Sequence, residues 1–368
     1  MKQVLPLIFM VLFLSILVGA NIYLSRRFAW YFSLEHTRLL IWGFASLTVF
    51  MILGLALFTN ATGRAGQLLY GTAAILMGFM LYLLFSFLLV DLVHIFIRVK
   101  PLYCGLAALL LTFLVSVYGI INAFNIRTNE LELEISGLKE EVRVMHWTDI
   151  HLGHFRGPVF LQKLVDRTNE QKVDVVLITG DLFDGRIRFG DASLESLRHL
   201  EAPVYFVAGN HDGYSGVEEV KKGLRDVGVH VLSNQVAREG ELQIIGLNHM
   251  LADDRSVNMH ASGELPSISN ILPGIRTEAE LPTILLHHSP DGIQYANKKG
   301  VDLYLSGHTH AGQLFPVNMI GELIYTYNKG LHDYQGTKIF VGEGAGTFGP
   351  PMRVGTHSSI TVLKLKPE

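Results

Sequence analysis

The first third of the chain is dominated by long apolar stretches that contain no charged side chain. Four such stretches follow one another, at residues 3–25, 39–63, 65–90 and 101–126. Each exceeds the roughly 20 residues that a helix needs to cross a bilayer. The first is also too long for the hydrophobic part of a cleaved signal peptide. The pattern therefore predicts an N-terminal all-α module of four transmembrane helices over residues 1–126.

Beyond this module, short apolar runs alternate with segments of helical spacing. The alternation at residues 131–135 predicts an exposed edge strand. The near-continuous apolar run at 173–178 predicts a strand covered on both faces, and helical spacing at 160–165 precedes it. We therefore expect residues 127–368 to form an α/β domain. Two packed mixed β-sheets flanked by helices, a four-layer α/β/β/α arrangement, accommodate these elements.

Composition and charge differ between the two parts. The whole chain is 49% hydrophobic and only 17% charged, whereas a soluble protein is nearer to about 25% charged. Residues 1–124 hold seven Lys/Arg and two Asp/Glu, a net +5, and the remainder holds 23 and 31, a net −8. An acidic globular part argues against a nucleic acid as partner. Cys104 is the only cysteine, which excludes an internal disulfide and a cysteine-based zinc site.

Positive charge in the short loops predicts the orientation in the membrane. The loops after the first and third apolar stretches carry five Lys/Arg, and the opposite side carries three. Short cytoplasmic loops are enriched in these residues. We therefore expect a multi-pass membrane protein whose N-terminus and C-terminal domain both lie outside the cytoplasm.

Metal-binding residue types follow five of the predicted strands. The segments are Asp149-Ile150-His151, Gly180-Asp181-Leu182-Phe183-Asp184, Gly209-Asn210-His211-Asp212, His287-His288-Ser289-Pro290 and Gly307-His308-Thr309-His310. Any one of them alone would also fit a satisfied polar pair. Residues two apart in a strand point the same way, so Asp149 and His151 can reach one ion. The set as a whole predicts a metal site, with ligands that suit Mn, Fe or Zn better than Ca.

The order, residue types and spacing of these segments resemble the calcineurin-like metallophosphoesterases. The spacing is 32 residues from Asp149 to Asp181 and 29 from there to Asn210. The glycine-rich segment 342–353 is most similar to a membrane-associated or exported bacterial branch, and the layout is similar to transmembrane proteins with a metallophosphoesterase domain. The resemblance covers roughly residues 128–368 and does not extend to the apolar stretches.

This resemblance implies a centre of two divalent metal ions. The first ion would be held by Asp149, His151, Asp181 and His310, and the second by Asp181, Asn210, His288 and His308. His211 would lie near the leaving-group oxygen as a proton donor, and Asp212 would orient it. A metal-bound hydroxide would attack phosphorus. The substrate class stays open between a phosphomonoester, a phosphodiester and a pyrophosphate.

Four further residues have alternative interpretations. His287 competes with His288 for one ligand position, and the His-x-Pro spacing favours His288. Asp184 is expected to cap or orient its turn, and His249 to lie at the surface. Arg353 is expected either to meet a substrate phosphate or to lie in solvent. The polar segment 248–281 is expected either to flank the site or to form a solvated insertion.

The leading hypothesis is a membrane-anchored, dinuclear metal-dependent phosphoesterase of a bacterial cell membrane. Its proximity to the bilayer favours a lipid or lipid-linked phosphorylated substrate. A second hypothesis is a non-catalytic membrane receptor or scaffold, which a degenerate ligand set would favour. A third is a transporter with a regulatory domain, which charges along an intramembrane path would favour. Every ligand position is filled and such charges are scarce, so the hydrolase is preferred.

Overall fold

A computed structural model describes residues 4–184, 193–253 and 266–368. Part of the polar segment 248–281 therefore lies outside the described residues. The chain divides into two compact units, residues 1–121 with 349–352, and residues 122–348 with 353–368. The second unit includes residues 122–126, which the sequence analysis assigned to the membrane module.

Four long helices make up most of the first unit. They are α1 (Val4–Tyr31), α2 (Thr37–Phe58), α3 (Arg64–Phe96) and α4 (Pro101–Phe124). All four are long and apolar enough to cross a membrane. Many of their large apolar side chains are exposed, Leu39 and Phe96 by 70% and 79%, as expected of side chains that contact lipid rather than water. The prediction of four membrane-capable helices is confirmed.

The carboxylate of Asp91 in α3 is paired within the helical unit. Its Oδ2 lies 2.6 Å from Arg27 Nε, and the hydroxyls of Tyr23 and Tyr31 donate hydrogen bonds to the same carboxylate. Arg27, Tyr23 and Tyr31 all belong to α1, so the cluster joins α1 to α3. This pairing gives the transporter hypothesis no support, because the charge is used in helix packing.

The second unit contains two six-stranded sheets. In spatial order, the first sheet consists of β1 (Arg127–Ile135), β12 (Ser359–Pro367), β2 (Val142–Trp147), β3 (Val175–Ile178), β4 (Val204–Phe206) and β5 (His230–Val231). The second sheet consists of β10 (Gly330–Tyr334), β11 (Thr337–Val341), β9 (Leu303–Ser306), β8 (Thr283–Leu286), β7 (Leu242–Gly246) and β6 (Gln235–Glu239). Both sheets are mixed, and β1 is an edge strand, as predicted.

Helices cover the outer faces of the sheets. They are α5 (Pro158–Glu170), α6 (Asn210–Asp226), α7 (Ile268–Ile271) and α8 (Ile293–Lys299). A further helix, α9 (Asn318–Ile324), follows the turn that carries His310. Strand β3 shows how the layers form, since its side chains alternate between two cores. Val176 and Ile178 pack in the core that includes residues of α5 and α6. Val175 and Leu177 pack in the core that also includes Leu305 of the other sheet.

The second sheet repeats this alternation. Leu286 belongs to the core between the sheets, whereas Leu285 packs in an outer core with Ile293 of α8. Successive strand residues point to opposite faces, so each sheet buries both of its faces. The predicted four-layer α/β/β/α arrangement is confirmed.

The sheet topology also explains where polar residues gather. Strands β2, β3 and β4 are parallel neighbours in the first sheet, and β8 and β9 are parallel neighbours in the second. Each of these five strands is followed by one of the five segments with metal-binding residue types. Ligands in such sheets collect at the carboxyl ends of the strands. The fold therefore brings the five segments to corresponding ends of two packed sheets.

The core between the sheets should dominate the stability of the second unit. Leu305 is fully buried and Leu331 is 37% exposed on strand β10. Replacing Leu305 by Ala should lower the free energy of unfolding by about 2–5 kcal/mol, because it leaves a cavity. Leu331→Ala, the matched control, should cost less than about 1 kcal/mol. Denaturant titration of the full chain in detergent, followed by tryptophan fluorescence, measures both. Equal losses would contradict this assignment of the core.

Candidate metal centre

Most of the predicted ligands follow strands that end in unusual backbone turns. Five of the seven have a left-handed backbone with φ between 50° and 73°, namely Asp149, His151, Asp181, His308 and His310. Residues other than glycine rarely adopt this conformation, and such strain concentrates at functional sites. The turns direct the five side chains into one region at the carboxyl ends of the strands.

One group of ligands combines both sheets. Asp149 and His151 follow β2, and His310 follows β9, and all three are buried. Their ligand atoms lie within 4.8 Å of one another. The Nε2 atom of His310 is 3.3 Å from Asp149 Oδ1 and 3.0 Å from His151 Nε2. These three residues are those expected at the first ion.

A second group lies beside the first. Asp181, His288 and His308 also have ligand atoms within 4.8 Å of one another. The Oδ2 atom of Asp181 is 3.1 Å from His288 Nε2 and 3.8 Å from His151 Nε2. Asp181 is therefore close to both groups, as a bridging ligand would be. Asn210 is buried, and its Oδ1 atom has no hydrogen-bond partner in the part of the chain that the structure describes.

The two adjacent histidines after β8 point in different directions. His288 Nδ1 donates a hydrogen bond to the carbonyl oxygen of Thr179 at 2.7 Å, so its Nε2 faces Asp181. The ring of His287 is instead held by Ser289 and Tyr304 through Nδ1, and its Nε2 accepts from the backbone of Met250. Of the two, only His288 faces the cluster.

Two glycines allow the chain to approach the ligands closely. Gly180 has a φ of 91°, and a side chain there would meet the backbone nitrogen of Gly209 at 2.5 Å. A side chain at Gly307 would collide with Thr148 Oγ1 and Asp149 Oδ2. Without a side chain at Gly307, the backbone N–H of the next residue, His308, donates to Asp149 Oδ2 at 3.0 Å and orients that carboxylate.

Burial and neighbouring charges shift the pKa values of these groups in different directions. Burial lowers the pKa of His310 to about 4 and that of His151 well below its usual value, which leaves both imidazoles neutral, the form that binds metals. Burial also opposes charge on Asp181 and His288. Their mutual attraction outweighs burial, holds the pKa of Asp181 well below its usual range and raises that of His288 to about 9.

The predicted contact between Asp212 and His211 is wrong. The Asp212 carboxylate accepts hydrogen bonds from four backbone amides, those of Asp181, Leu182, Phe183 and Gly209. His211 and Asp212 both lie in the first turn of α6, where successive side chains point about 100° apart. The two side chains therefore face different directions. Burial, and then the charge of Asp181, raise the pKa of Asp212 to about 7. Its role is to hold the turns after β3 and β4 together.

Asp184 takes the position expected of Asp212. Its Oδ1 lies 3.5 Å from His211 Nδ1 and 4.0 Å from His151 Nδ1. Burial disfavours a charged His211, but the Asp184 carboxylate outweighs burial and raises the pKa of His211. The His211 ring packs edge-on to the Phe348 ring at 5.1 Å between centroids.

Sequence reasoning missed the position of His249. Its ring centroid lies 5.7 Å from that of His288 and 5.9 Å from that of His308. Both ring nitrogens are buried without a hydrogen-bond partner among the described residues, so the surface expectation is wrong. The available signal was its place three residues after β7, which is parallel to β8.

Both expectations for Arg353 are wrong as well. Its side chain is fully buried. Its guanidinium donates to the carbonyl oxygens of His310, Gly344 and Gly346. It therefore fastens the glycine-rich segment to the turn that carries His310, and a glycine-rich backbone, which exposes carbonyl oxygens, supplies its partners.

Taken together, the donor set fits divalent metal ions. It combines carboxylate, amide and imidazole donors, which suit Mn, Fe or Zn. The buried Asn210 Oδ1 and His288 Nε2 atoms, which have no hydrogen-bond partner among the described residues, mark places that a cation would satisfy, and His288 Nε2 lies 3.1 Å from Asp181 Oδ2. His211 and Asp184 lie beside the donor set and complete a third group with His151.

The close approach at Gly307 generates a prediction. Gly307→Ala should displace the Asp149 carboxylate and weaken metal binding by about 10–100-fold, the usual effect of disturbing the groups that orient a ligand. Gly274→Ala is the matched control, since a side chain there meets nothing within 4 Å. Metal content per chain after dialysis against graded metal buffers measures the effect. Equal metal content in the two variants would contradict it.

Comparison with known proteins agrees with this geometry. The family model described as calcineurin-like phosphoesterase matches residues 142–312. An uncharacterized metallophosphoesterase of Helicobacter pylori strain J99 is 33% identical over 246 residues, which are 66% of this chain and 64% of the relative. The chain thus spans just under two thirds of the length of that relative.

Two other relatives extend the comparison. A transmembrane protein with metallophosphoesterase domain from Danio rerio is 34% identical over 277 residues, 70% of this chain and 62% of the relative. An uncharacterized metallophosphoesterase of Aquifex aeolicus is 30% identical over 265 residues, 69% of this chain and 97% of the relative. Since the match includes nearly the whole of the Aquifex protein, the chain belongs to the calcineurin-like metallophosphoesterase family.

Proposed function

We propose that the protein is a membrane-anchored, metal-dependent phosphoesterase with a dinuclear centre. The observation that carries this proposal is the presence of two groups of ligands. One is Asp149 with His151 and His310, and the other is Asp181 with His288 and His308. Within each group, the ligand atoms lie within 4.8 Å of one another. Family membership supports the same conclusion. A receptor or scaffold would not need to keep all seven donors.

The seven donors divide between two ions. Asp149, His151 and His310, with Asp181, would hold the first, and Asp181, Asn210, His288 and His308 would hold the second. When bound, such a pair of ions activates water and stabilises the charge of an in-line displacement at phosphorus. The protein's own contribution is to keep the donors rigid: Thr148 Oγ1 donates to Asp149 Oδ2, and the backbone N–H of His211 donates to Asp181 Oδ1.

His211 is our candidate for the proton donor to the leaving group. Its Nδ1 faces the Asp184 carboxylate, so Nε2 is the nitrogen available to a substrate oxygen. Its side chain is 15% exposed, enough to be reached from solvent at the edge of the cluster. Asp184, and not Asp212, would orient the ring. Phe348 beside it would limit the access of water to the leaving group.

The substrate and the location are the finer parts of the proposal. We infer a phosphorylated lipid or lipid-linked substrate, because only two residues separate the last membrane-capable helix from β1. The loop charges support a domain on the outer side of a bacterial cell membrane. The donor chemistry supports Mn, Fe or Zn as the native metals.

Hydrolysis by the full chain in detergent tests the central proposal. We expect cleavage of bis-p-nitrophenyl phosphate or p-nitrophenyl phosphate with Mn²⁺ or Zn²⁺, and its loss with EDTA. Mutating a residue that only orients a metal ligand typically costs about 10–100-fold in activity. Asp181→Asn removes a ligand itself, so it should lower the rate by more than this. Asp166→Asn, an exposed position on α5, should leave the rate unchanged.

Two results would count against the enzyme. Folded protein that binds two ions but cleaves neither compound nor any phospholipid would favour the receptor alternative. Protein that binds no divalent metal would overturn the site assignment itself. The preferred compound would separate a diesterase from a monoesterase.

The role of His211 has its own test, based on the leaving group. His211→Gln should slow hydrolysis of an alkyl phosphate ester by about 10²–10⁴-fold, because an alkoxide needs a proton as it departs. p-Nitrophenolate leaves without one, so hydrolysis of its ester should slow much less. Steady-state kinetics on both esters, at matched metal content, measures the difference.

His230→Gln serves as the control, since His230 is exposed on β5. It should change neither rate. Equal slowing of both esters by His211→Gln would argue that this histidine binds substrate rather than donates a proton.

A further inference from the structure

A patch of exposed apolar side chains follows the turn that carries His310. It consists of Phe315, Val317, Met319, Ile320, Leu323 and Ile324, which we call the apolar rim. These side chains are 36% to 87% exposed, and Leu323 is the most exposed. Beyond residue 124, only five other large hydrophobic side chains of the described residues are exposed. Contiguous exposed apolar surface of this kind usually marks an interaction site.

Four of the six rim residues lie on helix α9, whose apolar side is exposed. At about 100° per residue, Met319, Ile320, Leu323 and Ile324 of α9 occupy an arc of about 140°, and all are exposed. Asn318 and Tyr325 lie on the opposite side. Asn318 is buried against Gly312. A surface helix ordinarily turns its apolar stripe toward the core, whereas α9 turns it away from the domain.

The rim and Asn122, both in the second unit, contact one short segment of the chain. The backbone N–H of Phe315 donates to the carbonyl oxygen of Val354 at 2.8 Å. The side chain of Asn122, near the end of α4, donates to the carbonyl oxygens of Arg353 and Thr356 at 2.9 Å each. Residues 353–356 therefore contact both the end of α4 and the first residue of the rim.

The rim also adjoins the candidate metal centre. Tyr325, directly after α9, places its ring centroid 6.0 Å from that of His308. Gln313, two residues before the rim, bonds through its side chain to both the carbonyl oxygen and the N–H of Phe348. The Phe348 ring packs against His211. The rim is thus connected to His308 through Tyr325, and to His211 through Gln313 and Phe348.

We propose that the apolar rim inserts into the lipid bilayer and docks the second unit on the membrane surface. The occupant of this surface is bilayer hydrocarbon, because four membrane-capable helices precede the domain and only Asn125 and Ile126 connect α4 to β1. Interfacial helices bury their apolar face about 5–10 Å into the head-group boundary. Docking by the rim holds the metal centre at the level of lipid head groups, where a lipid phosphoester is found.

This inference rests on the membrane anchoring in the proposed function and is independent of hydrolysis. Its test is the depth of a nitroxide label in the full chain, reconstituted in vesicles of phosphatidylcholine with a minority of phosphatidylglycerol. Cys104 is the only cysteine and is buried, so the labelled variants carry Cys104→Ser. Leu323→Cys places the label on the rim, and Ile320→Cys gives a second position on the same face.

Collision with oxygen, which concentrates in hydrocarbon, is compared with collision with a water-soluble nickel chelate. We expect labels at both rim positions to collide mainly with oxygen, at about 5–10 Å below the head-group boundary. Val236→Cys, on edge strand β6 at 37% exposure, is the control and should collide mainly with nickel.

Two outcomes would overturn the proposal. Nickel collision at Leu323→Cys equal to that at Val236→Cys would show that the rim stays in water. Low collision with both reagents, accompanied by dipolar broadening, would show that a second copy of the chain covers it. Metal content measured on the same samples verifies folding. Because the readout needs no turnover, an inactive protein with inserted labels would contradict the hydrolase and leave the docking surface intact.

Discussion

The structure of the candidate site depends on the carboxylate of Asp181. This side chain follows β3 of the first sheet, yet its Oδ2 lies 3.1 Å from His288, which follows β8 of the second sheet. Its Oδ1 accepts the backbone N–H of His211. The contact exists only if the two sheets pack with their carboxyl ends aligned. The apolar core between the sheets, which contains Leu177 and Leu305, is therefore what positions the ligands.

Each of three buried carboxylates at the site is compensated by hydrogen bonds or by an opposite charge. Burying a carboxylate is costly unless hydrogen bonds or opposite charges compensate for lost hydration. Asp212 is compensated by four backbone amides, and Asp181 by His288 and one amide. Asp149 has Thr148 and the N–H of His308. These contacts orient the carboxylates and leave oxygens of Asp149 and Asp181 facing imidazoles, an arrangement that a cation stabilises further.

The layered fold and the ligand segments were predictable because both follow from local patterns. A strand buried on both faces has a continuous apolar sequence. A ligand directly after its last residue lies at the carboxyl end of the sheet, whichever strands are its neighbours. Directions around a helix were less accessible: Asp212 and Asp184 exchanged their expected roles because the first turn of α6 points Asp212 toward backbone amides. The burial of Arg353 depends on carbonyl oxygens of the His310 turn and of the glycine-rich segment, which residue types do not reveal.

The exposed face of α9 was also beyond sequence reasoning. Its apolar residues have the spacing of a core-facing stripe, but their exposure and the burial of Asn318 against Gly312 show that the stripe faces outward. His249 illustrates the same limit. Its polar segment predicted a surface loop, whereas its ring nitrogens are buried beside His288 and His308. In both cases tertiary packing reversed the side of the element that local pattern would assign to the core.

The position of β12 has a consequence for biosynthesis. This strand lies between β1 and β2 and pairs with both, although more than 200 residues of chain separate it from either. During translation, β1 follows the last membrane-capable helix and waits without its partner until residues 359–367 leave the ribosome. Non-local strand pairing of this kind is slow and leaves exposed strand edges. The first sheet therefore closes only once β12 has been synthesised, and β1 keeps an unpaired edge until then.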